Sequence, residues 1–138
     1  MAITQSTARQ YKLTADFPIN FADFAGLSGV AQLAIKLPAG AVVHGGRVFT
    51  DTAFNSATSD TLSVGDAASA TRYINANAVV LRTAGVQQEF AAAGLGYKYT
   101  AGDTLKVSWT GVGAVPTTGA SRLYVDYSID TRGNEVQA

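Results

Sequence analysis

The sequence contains no cysteine. Disulfides, thiolate metal sites and thiol nucleophiles are therefore excluded, and the fold must be held by packing alone. Histidine occurs once, at His44, which leaves too few soft ligands for a zinc or iron centre within one chain. Charge is scarce too: Asp, Glu, Lys and Arg make up 14% of the 138 residues, against about a quarter in ordinary soluble domains. Ten bases balance ten acids. The arginines (Arg9, Arg47, Arg72, Arg82, Arg122, Arg132) stand singly, without the basic stripe that nucleic acid demands. No stretch of about 18 apolar residues is present to cross a bilayer. The first thirteen residues lack the basic start and apolar run of a secretory signal. Neither a nucleic-acid nor a membrane partner is expected, and the chain reads as one made and assembled in a cytoplasm. Lys and Glu together supply only six residues, which argues against long exposed helices.

What the chain has instead is Ala, Thr and Gly, 53 residues together, with Val and Tyr distributed in short alternating runs. Such residues suit the pleated, half-buried surface of a strand. Strands are expected near Arg9–Ala15, over Val30–Leu37 with Ala31, Leu33, Ile35 and Leu37 on one face, and over Ala41–Phe54 with a bulge or bend at Gly45-Gly46. Further strands are expected at Thr61–Val64, Thr71–Ala76, Ala78–Thr83, Tyr97–Thr100 and Thr104–Thr110. The clearest is the last, where Leu123, Val125, Tyr127 and Ile129 alternate with Arg122, Tyr124, Asp126 and Ser128. Pro38-Ala39-Gly40, Gly65-Asp66 and Ala101-Gly102-Asp103 carry turn chemistry, the last of the hairpin kind. Pro18 argues against an ordinary central strand in 16–29, which reads as an aromatic-anchored loop with a short helical turn. Val86–Ala93 fits either a helical turn or a plain strand. Eight to nine short antiparallel strands at this spacing predict an all-β fold, a β-sandwich of jelly-roll-like topology. The expected organisation is a flexible N-terminal arm over 1–8, one domain over 9–130, and a polar tail over 131–138.

Catalytic equipment is hard to find. No nucleophile-elbow pattern accompanies His44, so a structural imidazole is the plainer reading. Asp60, Asp66 and Asp103 sit where turns are expected, and an Asp that caps its own backbone explains them better than a glycosidase pair does. Gly94-Leu95-Gly96 and Gly111-Val112-Gly113 lack the further residues that cradle phosphate. Tyr97, Tyr99 and Tyr124 could make a stacking platform for sugar, although tyrosines on strands more often serve a core or a subunit contact. No catalytic residue, metal ligand or cofactor site is expected, and the chain is read as not being an enzyme.

Several segments resemble a known group. Ala34–Val43 (AIKLPAGAVV), followed by Gly45-Gly46 and by Val48 to Asp51–Ser56 (DTAFNS), is similar to segments of small structural proteins of tailed bacteriophages. So are Asp60–Asp66 (DTLSVGD) with Arg72-Tyr73, and Ala101–Asp103 leading through a Val/Trp/Thr strand to the closing Leu123–Tyr127. The likeness covers roughly residues 30–130. It is a pattern likeness and brings no functional residues with it. It implies a virion structural protein of the capsid decoration (cement) or head-fibre type, bound to the outer surface of the head through the major capsid protein. Self-association, with a trimer as the natural guess, follows from the same resemblance. A balanced, charge-poor surface that associates readily agrees with that role. Contacts to partners are expected from Ile3 in the arm and from Phe17, Phe21 and Phe24; the alternative for the three Phe is that they close one end of the sandwich. The other functions weighed are a tail, baseplate or fibre-base component and a carbohydrate-binding module.

Overall fold

The computed structural model describes residues 11–130. Ile3, the arm over 1–8 and the tail over 131–138 lie outside the described residues. Among the described residues nine strands form two antiparallel sheets: β1 (Leu13–Asn20), β2 (Ala31–Leu37), β3 (Ala41–Thr52), β4 (Ser59–Gly65), β5 (Ile74–Asn77), β6 (Gln87–Glu89), β7 (Lys98–Tyr99), β8 (Asp103–Val112) and β9 (Ala120–Ile129). One sheet runs β1-β9-β3-β6, with β7 also paired to β3, and the other runs β2-β8-β4-β5. Leaving aside the two-residue β7, this interleaved order is that of an eight-stranded jelly roll, the sandwich topology expected from the sequence.

The core lies between the sheets, and strand alternation builds it. Leu105, Val107 and Trp109 of β8 face Leu123 and Val125 of β9, and Leu62 and Val64 of β4 complete the layer. Each fully buried Leu or Val contributes about 1.5–3 kcal/mol of transfer free energy. Along β3 the inward positions are Ala41 and Val43, then Val48 and Thr50, so the parity changes partway. The register with β9 slips between Val43 and Gly45, and this bulge at His44 keeps both halves of the strand facing the core. Gly46 is obligatory for a second reason. A Cβ there would come 2.5 Å from the Phe90 ring and 2.6 Å from the Tyr124 carbonyl oxygen.

Several expectations require correction. Ala78–Thr83 is not a strand: Ala78–Arg82 is a one-turn helix, α1. Its cause is Asn77, whose Oδ1 accepts from the N–H groups of Val79 (2.9 Å) and Val80 (3.2 Å), an N-cap that outweighs the β propensity of the valines. The adjacent Val80 and Leu81 are both buried, which a two-residue alternation would forbid. Leu33 does not share the inward face of Ile35 and Leu37. A bulge between Leu33 and Ile35 pairs Leu33 with the outward Lys106 and Gln32 with the inward Val107, and Leu33 is 68% exposed. The strand expected at Arg9–Ala15 runs on to Asn20 through Pro18, which is tolerated because β1 is an edge strand. The turn at 101–103 exists, with Gly102 at φ 79°, but β7 and β8 belong to different sheets, so it is a crossover and not a hairpin. Residues 85–96 combine both readings, strand β6 and then a 3₁₀ turn at Ala92–Gly94.

Candidate interaction surfaces

The outer face of the β1-β9-β3-β6 sheet sets arginines, acids and aromatic rings side by side. Ladder register sets Arg47 opposite Tyr124 and Phe49 opposite Arg122. The Arg47 guanidinium lies 5.1 Å from the Tyr124 ring centroid, and that of Arg122 lies 5.3 Å from Phe49 and 5.5 Å from Tyr124. Arg122 is fixed by a two-pronged pair with Asp51, Nε to Oδ2 and Nη2 to Oδ1, both 2.8 Å. The result is an ordered arginine–aromatic array on rigid strands, the residue types that dominate binding energy in protein interfaces. Its arginines are separated in sequence by 75 positions, so only the ladder register reveals it; the alternation of β3 and β9 shows which side chains point outward but not which ones meet.

Beside the array lies an open cavity of about 440 Å³, lined by Thr14, His44, Arg47, Glu89 and Asp126 over the Gly45-Gly46 backbone. His44 is exposed, with Nε2 2.7 Å from Ser128 Oγ. Among the described residues no carboxylate hydrogen-bonds this imidazole. Asp126 instead accepts from Thr14 Oγ1 at 2.7 Å.

A second concavity, about 230 Å³, opens at the side of the sandwich where β1 and β2, the edge strands of the two sheets, come together. Phe17 and Ile19 of β1, Phe24, Gln32, Leu33 and Val107 line it. Of the three Phe singled out in the sequence, Phe24 is 2% exposed and stacks on Trp109, with ring centroids 5.6 Å apart, so its ring closes this end of the core. Phe17 and Phe21 are half-buried. Asp23, in the 3₁₀ turn Phe21–Phe24, accepts from the Asn20 N–H at 2.8 Å and fixes the turn beside the opening.

The buried acids hold the body together. Asp66 accepts from the N–H groups of Ala68 and Ser69, as its turn position suggested, and Asp103 accepts from those of Ala67 and Thr104. Asp66 also pairs with Arg72 and accepts from Tyr99 Oη at 2.7 Å, and Tyr99 in turn meets Tyr73 Oη at 2.6 Å. Burial alone would raise the Asp66 pKa, but the hydrogen bonds from Arg72, Tyr99 and Ser69 hold it below the ordinary carboxylate value. Burial, followed by the bonds to Tyr73 and Asp66, pushes the Tyr99 hydroxyl well above the usual phenol range. Asp60 goes beyond the turn reading: besides accepting from the nearby Ser56 N–H at 3.1 Å it anchors distant side chains. It is wholly buried at one end of β4, accepts from Ser56 Oγ (2.6 Å) and Trp109 Nε1 (3.0 Å), and pairs with Arg82 Nη1 at 2.9 Å. The three tyrosines weighed as a platform are not alike: Tyr99 is core, Tyr97 is covered by Arg72 at 3.8 Å, and Tyr124 belongs to the arginine array. Among the described residues no three His, Asp or Glu side chains gather in a way that could hold a metal ion. None of their helices is long and apolar enough to cross a membrane.

Neither a protein-family model nor a curated protein matches the chain. Solved structures do. A chain of the cyanophage Pam1 capsid asymmetric unit is 25% identical, with a TM-score of 0.69 over 94% of this chain and 91% of that one. A chain of the acid-stable capsid of Helicobacter pylori bacteriophage KHP30 shares the fold at TM-score 0.68 and 12% identity, over 92% and 94% of the two chains. The capsid of Ralstonia phage GP4 holds another, at TM-score 0.60 and 19% identity, over 95% and 92%. The resemblance to phage virion structural proteins that the sequence carries is thus matched in three dimensions, along nearly the whole chain.

Proposed function

We propose that this chain is a non-enzymatic structural protein of a phage virion, and that it decorates the outer surface of the head as a cement protein bound to the major capsid protein. The observation that carries the reading is the match to the Pam1 capsid chain, end to end and at 25% identity. The arginine–aromatic array supports it as the contact face. Arg47, Phe49, Arg122 and Tyr124 are preorganised by their strands, so little side-chain freedom is lost when a partner covers them. A low-charge surface suits a component whose working state is bound. Bridging several capsid subunits would stabilise the shell by mass action and multivalency, without any chemistry. Self-association into a trimer and assembly in the host cytoplasm belong to the same reading.

The test is add-back. Virions made without the protein are incubated with the purified chain, and occupancy and heat-induced genome release are measured. The wild-type chain is expected to rebind and raise the release temperature. The double variant Arg47→Ala/Tyr124→Ala is expected to lose at least tenfold in affinity, as truncation of two interface anchors does. Unchanged release with no binding of the wild-type chain would overturn the cement role.

A further inference from the structure

The groove between β1 and β2 is a socket without a plug. It is apolar, it lies between two strands whose outer edges have no partner among the described residues, and it is bordered by exposed apolar surface. Of the eight large hydrophobic residues that stand exposed among the described ones, four lie on these two strands or just ahead of them: Tyr11 and Leu13 at β1, and Val30 and Leu33 at β2. A concentration of that kind marks an interaction site. Pro18 has no N–H to donate, so ladder pairing along the β1 edge stops near Phe17 and the groove calls for a side chain rather than a longer strand.

We propose that the occupant is the N-terminal segment of a second copy of this chain, with Ile3 as the side chain that enters the groove. The composition of the segment supplies the argument. Residues 1–12 (MAITQSTARQYK) contain no Gly, Pro, Asn or Asp, the strongest formers of tight reversals, and only the weaker Ser and Thr. A tight hairpin that would lay the segment back along its own β1 is therefore disfavoured, which favours the groove of a neighbouring copy. Ten extended residues reach at most about 33–36 Å, more than the roughly 26 Å of an eight-residue strand such as β1. Ile3 is the one branched apolar residue among small and polar neighbours, flanked by Ala2 and Thr4. Gln32 and Asp23 at the mouth of the groove offer hydrogen bonds to the hydroxyl and amide side chains of Thr4 and Gln5. The exchange would also cover Tyr11 and Leu13, which directly follow the segment, as copies come together. It deepens the self-association of the proposed function by naming how copies join, while requiring nothing of the shell itself.

Because the chain has no cysteine, the exchange can be trapped site by site. Full-length Ile3→Cys and Leu33→Cys variants, one carrying a size tag, are mixed and mildly oxidised. Val115→Cys, an exposed position in the 113–119 loop, replaces Leu33→Cys in the control. The expected result is a mixed Ile3–Leu33 disulfide in about tenfold or greater excess over the control pair, from the raised local concentration. Sedimentation should show the wild-type chain self-associating and Ile3→Asp shifted to monomer with an unchanged thermal midpoint. The proposal is overturned by a mixed product no more abundant than the control. A double variant that closes within one chain while the mixed single variants stay apart would also overturn it, as would a wild-type chain that sediments as a monomer. None of these outcomes touches virion occupancy, so the exchange and the cement role can fail separately.

Discussion

Asp60 carries no solvent exposure and answers to four donors: the Ser56 N–H and Oγ, the Trp109 indole and Arg82. Removing it would leave the buried Trp109 indole N–H without its acceptor, while Arg82, one-third exposed, keeps the Ser56 carbonyl; an unsatisfied buried donor costs about 1–3 kcal/mol. Asp60→Ala should therefore lower the urea midpoint by that equivalent at an unchanged denaturant slope. A loss below about 1 kcal/mol would show that water replaces the carboxylate. Asp66 makes a different prediction, in pH. Its pKa is depressed in the folded chain, so its contribution is full above the ordinary carboxylate value of 3.8 and is lost as pH falls through the lower folded value. In thermal melts from neutral pH downward, Asp66→Asn should be less stable than wild type near neutrality, and the gap should narrow in strong acid. A gap constant with pH would contradict the role given to the Arg72 pair. Tyr99 acts at the other extreme. Its raised pKa means that stability present below about pH 10 is lost as the unfolded chain ionises above it.

At the level of elements, the bulges decide which side chains are buried. In β3 the slip at His44 is coupled to the close approach of Phe90 and the Tyr124 carbonyl to Gly46. Gly46→Ala forces a backbone shift and should cost about 1–3 kcal/mol, seen as a lowered thermal midpoint, whereas Gly45→Ala, whose added methyl would meet only Asp126 Oδ2 at 3.8 Å, should cost less. A reversed order would misplace the bulge. The same devices explain what the sequence could and could not show. Leu105, Val107 and Trp109, like Leu123 and Val125, keep strict alternation because the extra residues of the bulges lie in their partner strands β2 and β3, so their burial was legible. The alternation of Leu33 with Ile35 and Leu37 was equally clear and misleading, because an extra residue in one strand is invisible until its partner is known. Ala78–Arg82 reads as strand by its valines, although Asn77 just ahead of an apolar run was a signal for a cap. Asp60 looked like a turn residue because its partners Trp109 and Arg82 lie 49 and 22 positions away.

For the whole molecule, the jelly roll is a rigid carrier with two distinct faces: the arginine–aromatic array on the outer sheet and the apolar groove at the β1/β2 side. The fold class and the resemblance to virion proteins could be read from strand spacing and local segments. The faces could not, since both are assembled by the pairing of strands distant in sequence. Under the proposed function, one surface would hold the shell while the other joins copies, so that a capsid is stabilised through many modest contacts. The central claim is that this chain belongs to the shell, and the most direct measurement is its copy number in purified virions by quantitative mass spectrometry against the major capsid protein. A number comparable to that of the capsid protein, as repeated decoration of the shell requires, is the predicted result. A handful of copies per particle, or none, would contradict it.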